Sequence, residues 1–520
     1  MKRAEFLNTV IEFNGYWDVL IIGGGATGLG CAIDAASRGY KTLLLDMHDF
    51  AKGTSSRSTK LVHGGVRYLQ QGDVSLVIEA LHERGLLIQN APHLVSHQSF
   101  IVPSYEWWNG PFYGIGMKVY DALAGKLGIK KSETLSKEET LEKIPTLEPE
   151  GLRGGVMYYD GQFDDSRLAI NLAQTIADQG GTPLNYMKVT ELKKNGAGFI
   201  EGVKALDMVS GQSHQINARV VVNATGIFTD SIMQMDEPTH KPIIQYSQGI
   251  HLVLDKKFLP GDAAIMVPHT DDGRVLFAVP WHDKVIVGTT DTPIEKASLE
   301  PIALEEEIEF IIRNASKYLA TNPTRADVKS VFAGIRPLVK PEESKNTSEI
   351  SRSHHLEVSE SGLVTITGGK WTTYRKMAED TIDRAMMVAG LKQKNCVTKE
   401  LRIHGWLKSV DRNDPLHVYG SDRAGLNKLL AKHPEWNVRL HHDLPYLKGE
   451  VIWAIRNEMA ITIEDILSRR TRALLLDAKA SIEMAPIVGQ LLAQEFGKDE
   501  AWVKQEVSEY KQLAENYILK

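Results

Sequence analysis

Three short apolar runs, Val19-Leu20-Ile21-Ile22, Leu43-Leu44-Leu45 and Val220-Val221-Val222, carry no polar alternation, and Leu363-Val364-Thr365-Ile366 is nearly as pure. Runs of this length that stay apolar at every position read as strands buried on both faces of a parallel sheet. Three of the four pass into small-residue turns: Gly23-Gly24-Gly25-Ala26-Thr27-Gly28, Asn223-Ala224-Thr225-Gly226 and Thr367-Gly368-Gly369-Lys370. Helical periodicity follows the first turn over 26–38, where Gly39 supplies a stop, and follows the last over 372–388. A different pattern fills 242–292, where four strand-like segments crowd together: His251-Leu252-Val253-Leu254, with His251 opening the strand, then 264–267, 274–279 and 284–287. Asp271-Asp272-Gly273 reads as a hairpin turn between two of them, and the set predicts an antiparallel sheet. Trp107, Trp108, Pro111, Phe112 and Tyr113 precede a polar helical run over 132–142. Beyond Cys396 the pattern is helical, including 449–468, where Val451, Ile452, Ile455 and Met459 recur at helical spacing.

The first strand, turn and helix together form a dinucleotide-binding fingerprint. Gly23 permits the tight turn, Gly25 lets the backbone approach a pyrophosphate, and Gly28 lets helix and strand pack closely. The helix N-terminus then offers unsatisfied N–H groups and a positive dipole end to the phosphates. Asp46, closing the second strand, sits where a carboxylate accepts hydrogen bonds from ribose hydroxyls. Nicotinamide and flavin enzymes share this fingerprint, but the late return of the chain through 363–388 favours FAD. Its glycines allow a helix N-terminus to approach the negative charge that a reduced flavin develops at its pyrimidine edge.

Because long insertions separate these elements, the FAD-binding domain is expected to be discontinuous, over 17–95, 152–232 and 330–392. Segments 96–151 and 233–329 then make a substrate domain, and 393–520 a helical C-terminal domain. For 520 residues, two to four domains are the ordinary expectation, and 42 % apolar with 24 % charged residues is enough for a large core. A formal charge of −6 gives no global reason to expect nucleic acid. Cys31 and Cys396 are too few for a metal cluster, no metal is expected, and a reducing compartment is suggested, with Cys31 a buried thiol of the first helix. No apolar run reaches the length of a membrane span, and the polar start argues against a secretory signal.

Several further motifs occur in one order: Thr54-Ser55-Ser56-Arg57-Ser58-Thr59-Lys60-Leu61-Val62-His63-Gly64-Gly65-Val66-Arg67-Tyr68-Leu69, then Gly334-Ile335-Arg336-Pro337-Leu338, Ser351-Arg352 and Gly368-Gly369-Lys370-Trp371-Thr372-Thr373-Tyr374-Arg375-Lys376. With Glu458-Met459-Ala460 and Arg469-Arg470-Thr471-Arg472, nearly the whole chain resembles the FAD-dependent, aerobic respiratory glycerol-3-phosphate dehydrogenases. The resemblance implies an α/β plus α+β fold: a Rossmann-like FAD-binding domain, a D-amino-acid-oxidase-like antiparallel substrate domain and an all-helical C-terminal domain. It implies that Thr54, Ser55, Ser58, Lys60, Leu61, His63, Gly64 and Gly65 border the cofactor together with Gly23, Gly25, Gly28 and Asp46. Ala224, Gly226, Gly369, Lys370 and Thr372 complete that set.

Glycerol 3-phosphate is a dianion, and the resemblance places Arg67, Tyr68, Arg352 and Lys370 on it, mainly at the phosphate, with Arg336 near the reacting carbon and hydroxyl. Guanidinium forks and an ammonium suit that task. Loss of the hydroxyl proton needs a base near working pH, which makes histidine the first choice. His251 corresponds to a histidine the family places by the substrate, His63 is its rival, and Arg336 would favour the alkoxide electrostatically. One departure is Gln248, where the family more often carries a basic residue. The implied electron acceptor is a membrane quinone, reached by a peripheral protein on the cytoplasmic, inner face of the cell membrane. A homodimer is kept as an option for which no residue argues. The alternatives are a glycerol-3-phosphate oxidase using oxygen, for which the length leaves little room in the substrate region, an amino-acid or amine oxidase on the same scaffold, and a non-catalytic flavin-bound scaffold. The calcium-binding extension of the mitochondrial form is not expected.

Overall fold

A computed structural model describes residues 1–65, 73–106, 109–267, 270–340 and 354–519. Among these, the apolar runs form the parallel centre of an eight-stranded sheet. Its order runs His354–Val358, Val364–Gly368, Ser213–Asn223, Tyr16–Ile22, Thr42–Leu45 and Thr182–Leu184, with Met187–Lys194 and Ile200–Asp207 added beside Ser213–Asn223. The pairs around Tyr16–Ile22 are parallel, Ile22 standing opposite both Leu45 and Asn223, so three strand ends and their turns finish at one edge. Helix Ala26–Ser37 covers one face between helices Asp165–Asp178 and Tyr374–Val388. Cys31 lies fully buried in it, and burial pushes its thiol up to about 12.

The second sheet has ten strands and is almost wholly antiparallel, the pairing of Val95–Ser104 with Ala264–Val267 being parallel. The four expected strands are present within it, and Gly273 turns between Ala264–Val267 and Leu276–Trp281 with φ +76°. Two strands fall on the other side of the expected domain limits. Gly154–Phe163 and Val328–Val339, read into the FAD-binding segments, pair instead with Val95–Ser104 and with Ile244–Asp255 in this sheet. Limits drawn from the insertions between nucleotide-binding elements do not show which layer a strand beside the limit joins.

Three further expectations need correction. Residues 132–142 are not one helix: Glu133–Ser136 is a strand, and Ser136 then caps helix Lys137–Lys143 through a reciprocal bond with Glu139. The run over 449–468 is broken as well. Helix Lys448–Asn457 ends, Met459 takes φ +58°, and a π-helical turn follows over Asp465–Arg470. His251 does not open its strand but is its eighth residue, since Ile244–Asp255 begins earlier. The C-terminal region is helical with one added hairpin, Arg439–His441 against Leu444–Leu447.

Candidate active site

The strand ends at the edge of the parallel sheet open onto a cavity of about 590 Å³, within the range of cofactor and ligand sites. Gly23 and Gly25 line it, and Gly28 lies behind them. A Cβ on Gly28 would stand 1.8 Å from the Gly23 carbonyl oxygen, so only glycine lets the helix sit on the turn. The first helical amide, Ala26 N, donates to Ser55 Oγ at 2.9 Å. Asp46 accepts from the Gly24 amide at 2.5 Å and the His48 amide at 2.7 Å, and burial pushes its carboxyl up to about 6 against those bonds. The cradle therefore has a helix N-terminus, close backbone and a carboxylate, the donor and acceptor set that an adenine dinucleotide requires.

Thr54, Ser55, Ser58, Leu61 and His63 line the same cavity from the loop after the second strand, and Ala224 and Gly226 from the third strand end. Thr54 donates its hydroxyl to the Ile335 carbonyl at 2.6 Å, and the His63 amide donates to Thr372 Oγ1 at 3.3 Å. These bonds tie the loop to the strand that carries Arg336 and to the turn that carries Lys370. Gly369, Lys370 and Thr372 complete the far wall. Like Gly28, three expected cofactor contacts of this loop lie behind the surface. Gly64 donates its amide to Tyr120 Oη at 2.8 Å, and Gly65 follows with φ +76°. Lys60 is fully buried, bonding Asp165 at 2.7 Å and the Ser56 carbonyl at 2.8 Å, so its ammonium holds the loop from beneath. Burial brings Lys60 down to about 7 although Asp165 opposes the shift. Arg67, Tyr68 and Arg352, and with them Trp107 and Trp108, lie outside the described residues.

His251 and Arg336 both line the cavity, on paired strands where Ser247 faces Arg336 and His251 faces Phe332. The His251 ring stacks on Phe332 at 4.9 Å between centroids, and its Nε2 lies 2.9 Å from Thr59 Oγ1. Burial, reinforced by the Lys60 and Arg336 charges, holds His251 well below the ordinary imidazole range, so it rests neutral. Arg336 donates to the Thr290 carbonyl and Thr289 Oγ1, each at 3.1 Å, with Asp291 at 3.5 Å. Gly249 faces this guanidinium so closely that a Cβ would come within 2.5 Å of Nη2. Gln248, the departure from the family pattern, turns away from the cavity and donates to Glu307 at 2.8 Å and to the Ile302 carbonyl at 3.0 Å.

Sequence reasoning singled out no role for Thr59, Asp165, Asp291 or the wall formed by Met187-Lys188-Val189. Thr59 stood inside the recognised block, next to Lys60, and was readable as a polar neighbour. Asp165 was not, because its partners Ser58, Lys60 and Arg472 come from distant segments.

Residues 18–375 match the family model described as FAD dependent oxidoreductase, and 364–503 match the C-terminal domain of alpha-glycerophosphate oxidase. The chain is 40 % identical to the mitochondrial glycerol-3-phosphate dehydrogenase of Rattus norvegicus over 94 % of its own length and 72 % of the relative's. With the mitochondrial enzyme of Homo sapiens it shares 41 % over 97 % and 74 %. The glycerol-3-phosphate dehydrogenase of Bacillus halodurans, solved with FAD, superposes with a TM-score of 0.81 at 29 % identity, covering 99 % of this chain and 98 % of that one. Glycine oxidase from Geobacillus kaustophilus, at 17 % identity and a TM-score of 0.53 over 74 % of this chain and 98 % of that one, shares the fold. By sequence over nearly its full length, and by a cradle whose residues fit the cofactor, the chain belongs to the FAD-dependent glycerol-3-phosphate dehydrogenases.

Proposed function

We propose that this enzyme oxidises sn-glycerol 3-phosphate to dihydroxyacetone phosphate and passes the electrons to a membrane quinone, working as a peripheral protein at the cytoplasmic face of the cell membrane. Bound FAD supplies the acceptor for the two electrons lost at the secondary carbon. The observation that carries the reading is convergence: the dinucleotide cradle, a neutral buried histidine and two cations, Arg336 and Lys370, border one cavity. Gly23, Gly25, Asp46 and Ser55 would hold the dinucleotide end, and the turn through Gly369 to Thr372 the flavin end. Lys370, with Arg67, Tyr68 and Arg352 carried over from the family pattern, would bind the phosphate. Arg336 would stabilise negative charge on the reacting oxygen, oriented by Thr289, Thr290 and Asp291. His251 would take the hydroxyl proton. The paired strands carry both side chains to one cavity, and positioning of that kind lowers a barrier.

Among the described residues, no helix is long and apolar enough to cross a membrane, so attachment would be through a surface. Anaerobic mixing of the FAD-loaded protein with glycerol 3-phosphate tests the first half-reaction, with loss of flavin absorbance as the expected result. Recovery on adding a soluble quinone analogue, and slow recovery in air, is expected for the second. Fast recovery in air with peroxide would move the protein to the oxidase branch. Bleaching by an amino acid alone would overturn the substrate.

A further inference from the structure

We propose that Thr59 relays the substrate's hydroxyl proton to His251, taking that proton on Oγ1 while its own hydroxyl hydrogen passes to Nε2. The inference rests on the alcohol oxidation proposed above and assigns its proton path. Two observations restrict how a proton reaches the ring. His251 is 2 % exposed, and its Nδ1 is buried without a hydrogen-bond partner among the described residues. The ring is also fixed in plane, stacked on Phe332 on one face and crowded by Gly288, where a Cβ would lie 2.3 Å from Cδ2. That leaves Nε2, and the group on Nε2 is the Thr59 hydroxyl at 2.9 Å.

Thr59 lines the cavity and is held there from both sides. Asp165 accepts from the Ser58 amide at 3.1 Å, the Ser58 hydroxyl at 2.7 Å and the Lys60 ammonium at 2.7 Å. Its other oxygen accepts from Arg472 at 3.0 Å, so one buried carboxylate clamps both neighbours of Thr59 to the C-terminal region. A threonine hydroxyl can donate to a neutral imidazole while its lone pairs accept from a second hydroxyl. In the step, the substrate O–H bond breaks toward Thr59 Oγ1 and the Thr59 O–H bond breaks toward Nε2. The electron pair left on the substrate oxygen forms the carbonyl bond as the carbon-bound hydrogen leaves with its two electrons, for which FAD, when bound, would be the acceptor. His251 ends as the imidazolium and Thr59 as the neutral alcohol.

The test is anaerobic stopped-flow reduction of the FAD-loaded enzyme by glycerol 3-phosphate. Thr59→Val, which keeps the shape and deletes the hydroxyl, should lower the limiting rate on the order of 100-fold. Half-saturation should stay within about twofold and Thr59→Ser should recover most of the rate, a split that a merely structural role would not give. In the unmodified enzyme, the rate in mixtures of light and heavy water should fall along a bowed curve, since two protons move together. A Thr59→Val enzyme within about threefold of the unmodified rate, or a linear dependence on heavy water, would overturn the relay while leaving the substrate intact. If the unmodified enzyme is not bleached by glycerol 3-phosphate, the substrate reading falls, and the relay with it.

Discussion

At the scale of the single residue, His251 combines a place on the cavity with suppressed basicity. Its folded-state value lies well below the ordinary 6.5 because it is buried and faces Lys60 and Arg336. The unfolded chain therefore binds the proton first as pH falls, so this group's contribution to stability is intact above about pH 6.5 and is lost below it. The same sign governs catalysis. Glycerol 3-phosphate turnover per unit substrate should stay level as pH falls to about 6.5, with the acidic limb below that value. In His251→Asn that limb should vanish and the rate of flavin reduction should drop on the order of 100-fold or more, read from the pH profile of the reductive half-reaction. An unchanged acidic limb would remove His251 as the base. Lys370 should behave differently, because the phosphate contact proposed for it would be present in ground and transition states alike. Lys370→Ala should raise KM on the order of tenfold with a smaller change in kcat and with FAD retained, checked by steady-state kinetics and the flavin-to-protein absorbance ratio. The motifs around His251 and Lys370 singled out two side chains that the fold brings to one cavity. Thr59 lies within the recognised block, but the relay proposed for it depends on a ring that lies 192 positions away in the chain.

At the scale of the element, the parallel strands and their turns were legible because an unbroken apolar run and a glycine-rich exit each admit few structures. The strand carrying His251 was placed but begun too late: Gln245, Ser247 and Gln248 precede the apolar stretch and gave no strand signal. Their polarity has a tertiary cause, since Ser247 bonds Asp291 and Gln248 bonds Glu307, both buried. The break within 449–468 was hidden for a related reason, as apolar spacing alone does not reveal a Met459 at positive φ. Gly249 tests how far the strand, rather than its side chains, sets the site. Gly249→Ala places a methyl against the Arg336 guanidinium and Thr289 Oγ1, which would otherwise be 2.5 and 2.6 Å from it. Arg336 must shift, and kcat/KM for glycerol 3-phosphate should fall on the order of 100-fold while FAD stays bound. Gly28→Val fails one layer deeper. With 1.8 Å to the Gly23 oxygen, the helix must move off its turn, and the purified protein should lack its yellow colour. Retention of stoichiometric FAD in Gly28→Val would contradict the close helix–strand contact.

At the scale of the whole molecule, the C-terminal region is joined to the cofactor side by buried charges that no local pattern announces. Asp49, just beyond the second strand, accepts from Arg469 at 2.6 Å and Arg470 at 2.6 and 2.9 Å, across some 420 positions of chain. Burial alone would raise the Asp49 carboxyl, yet the two guanidinium groups hold it below the usual range. Arg167 and Glu458 form a second buried pair at 2.8 Å, also between regions. The arginine cluster was recognised from sequence as a family feature, but its partner was not, because a carboxylate after a strand looks the same whether it faces solvent or two arginines. A third link, His404, is titratable. Its Nδ1 meets Asp178 at 2.7 Å and its Nε2 meets Asp422 at 2.9 Å, joining the end of helix Asp165–Asp178 to the C-terminal region. Burial pulls His404 down, but the two carboxylates outweigh it and raise it to about 9. A folded-state value above the unfolded 6.5 means that the folded protein holds the proton longer. The stabilisation is thus complete below about pH 6.5 and is lost as pH rises through about 9. His404→Gln keeps hydrogen-bonding capacity and removes the charge, so its denaturant midpoint should fall well short of the unmodified protein's at about pH 6 and approach it by about pH 10. A gap that stays constant across that interval would mean that His404 is not charged in the folded molecule, and that the two regions are held by packing and by the Asp49 and Arg167 pairs instead.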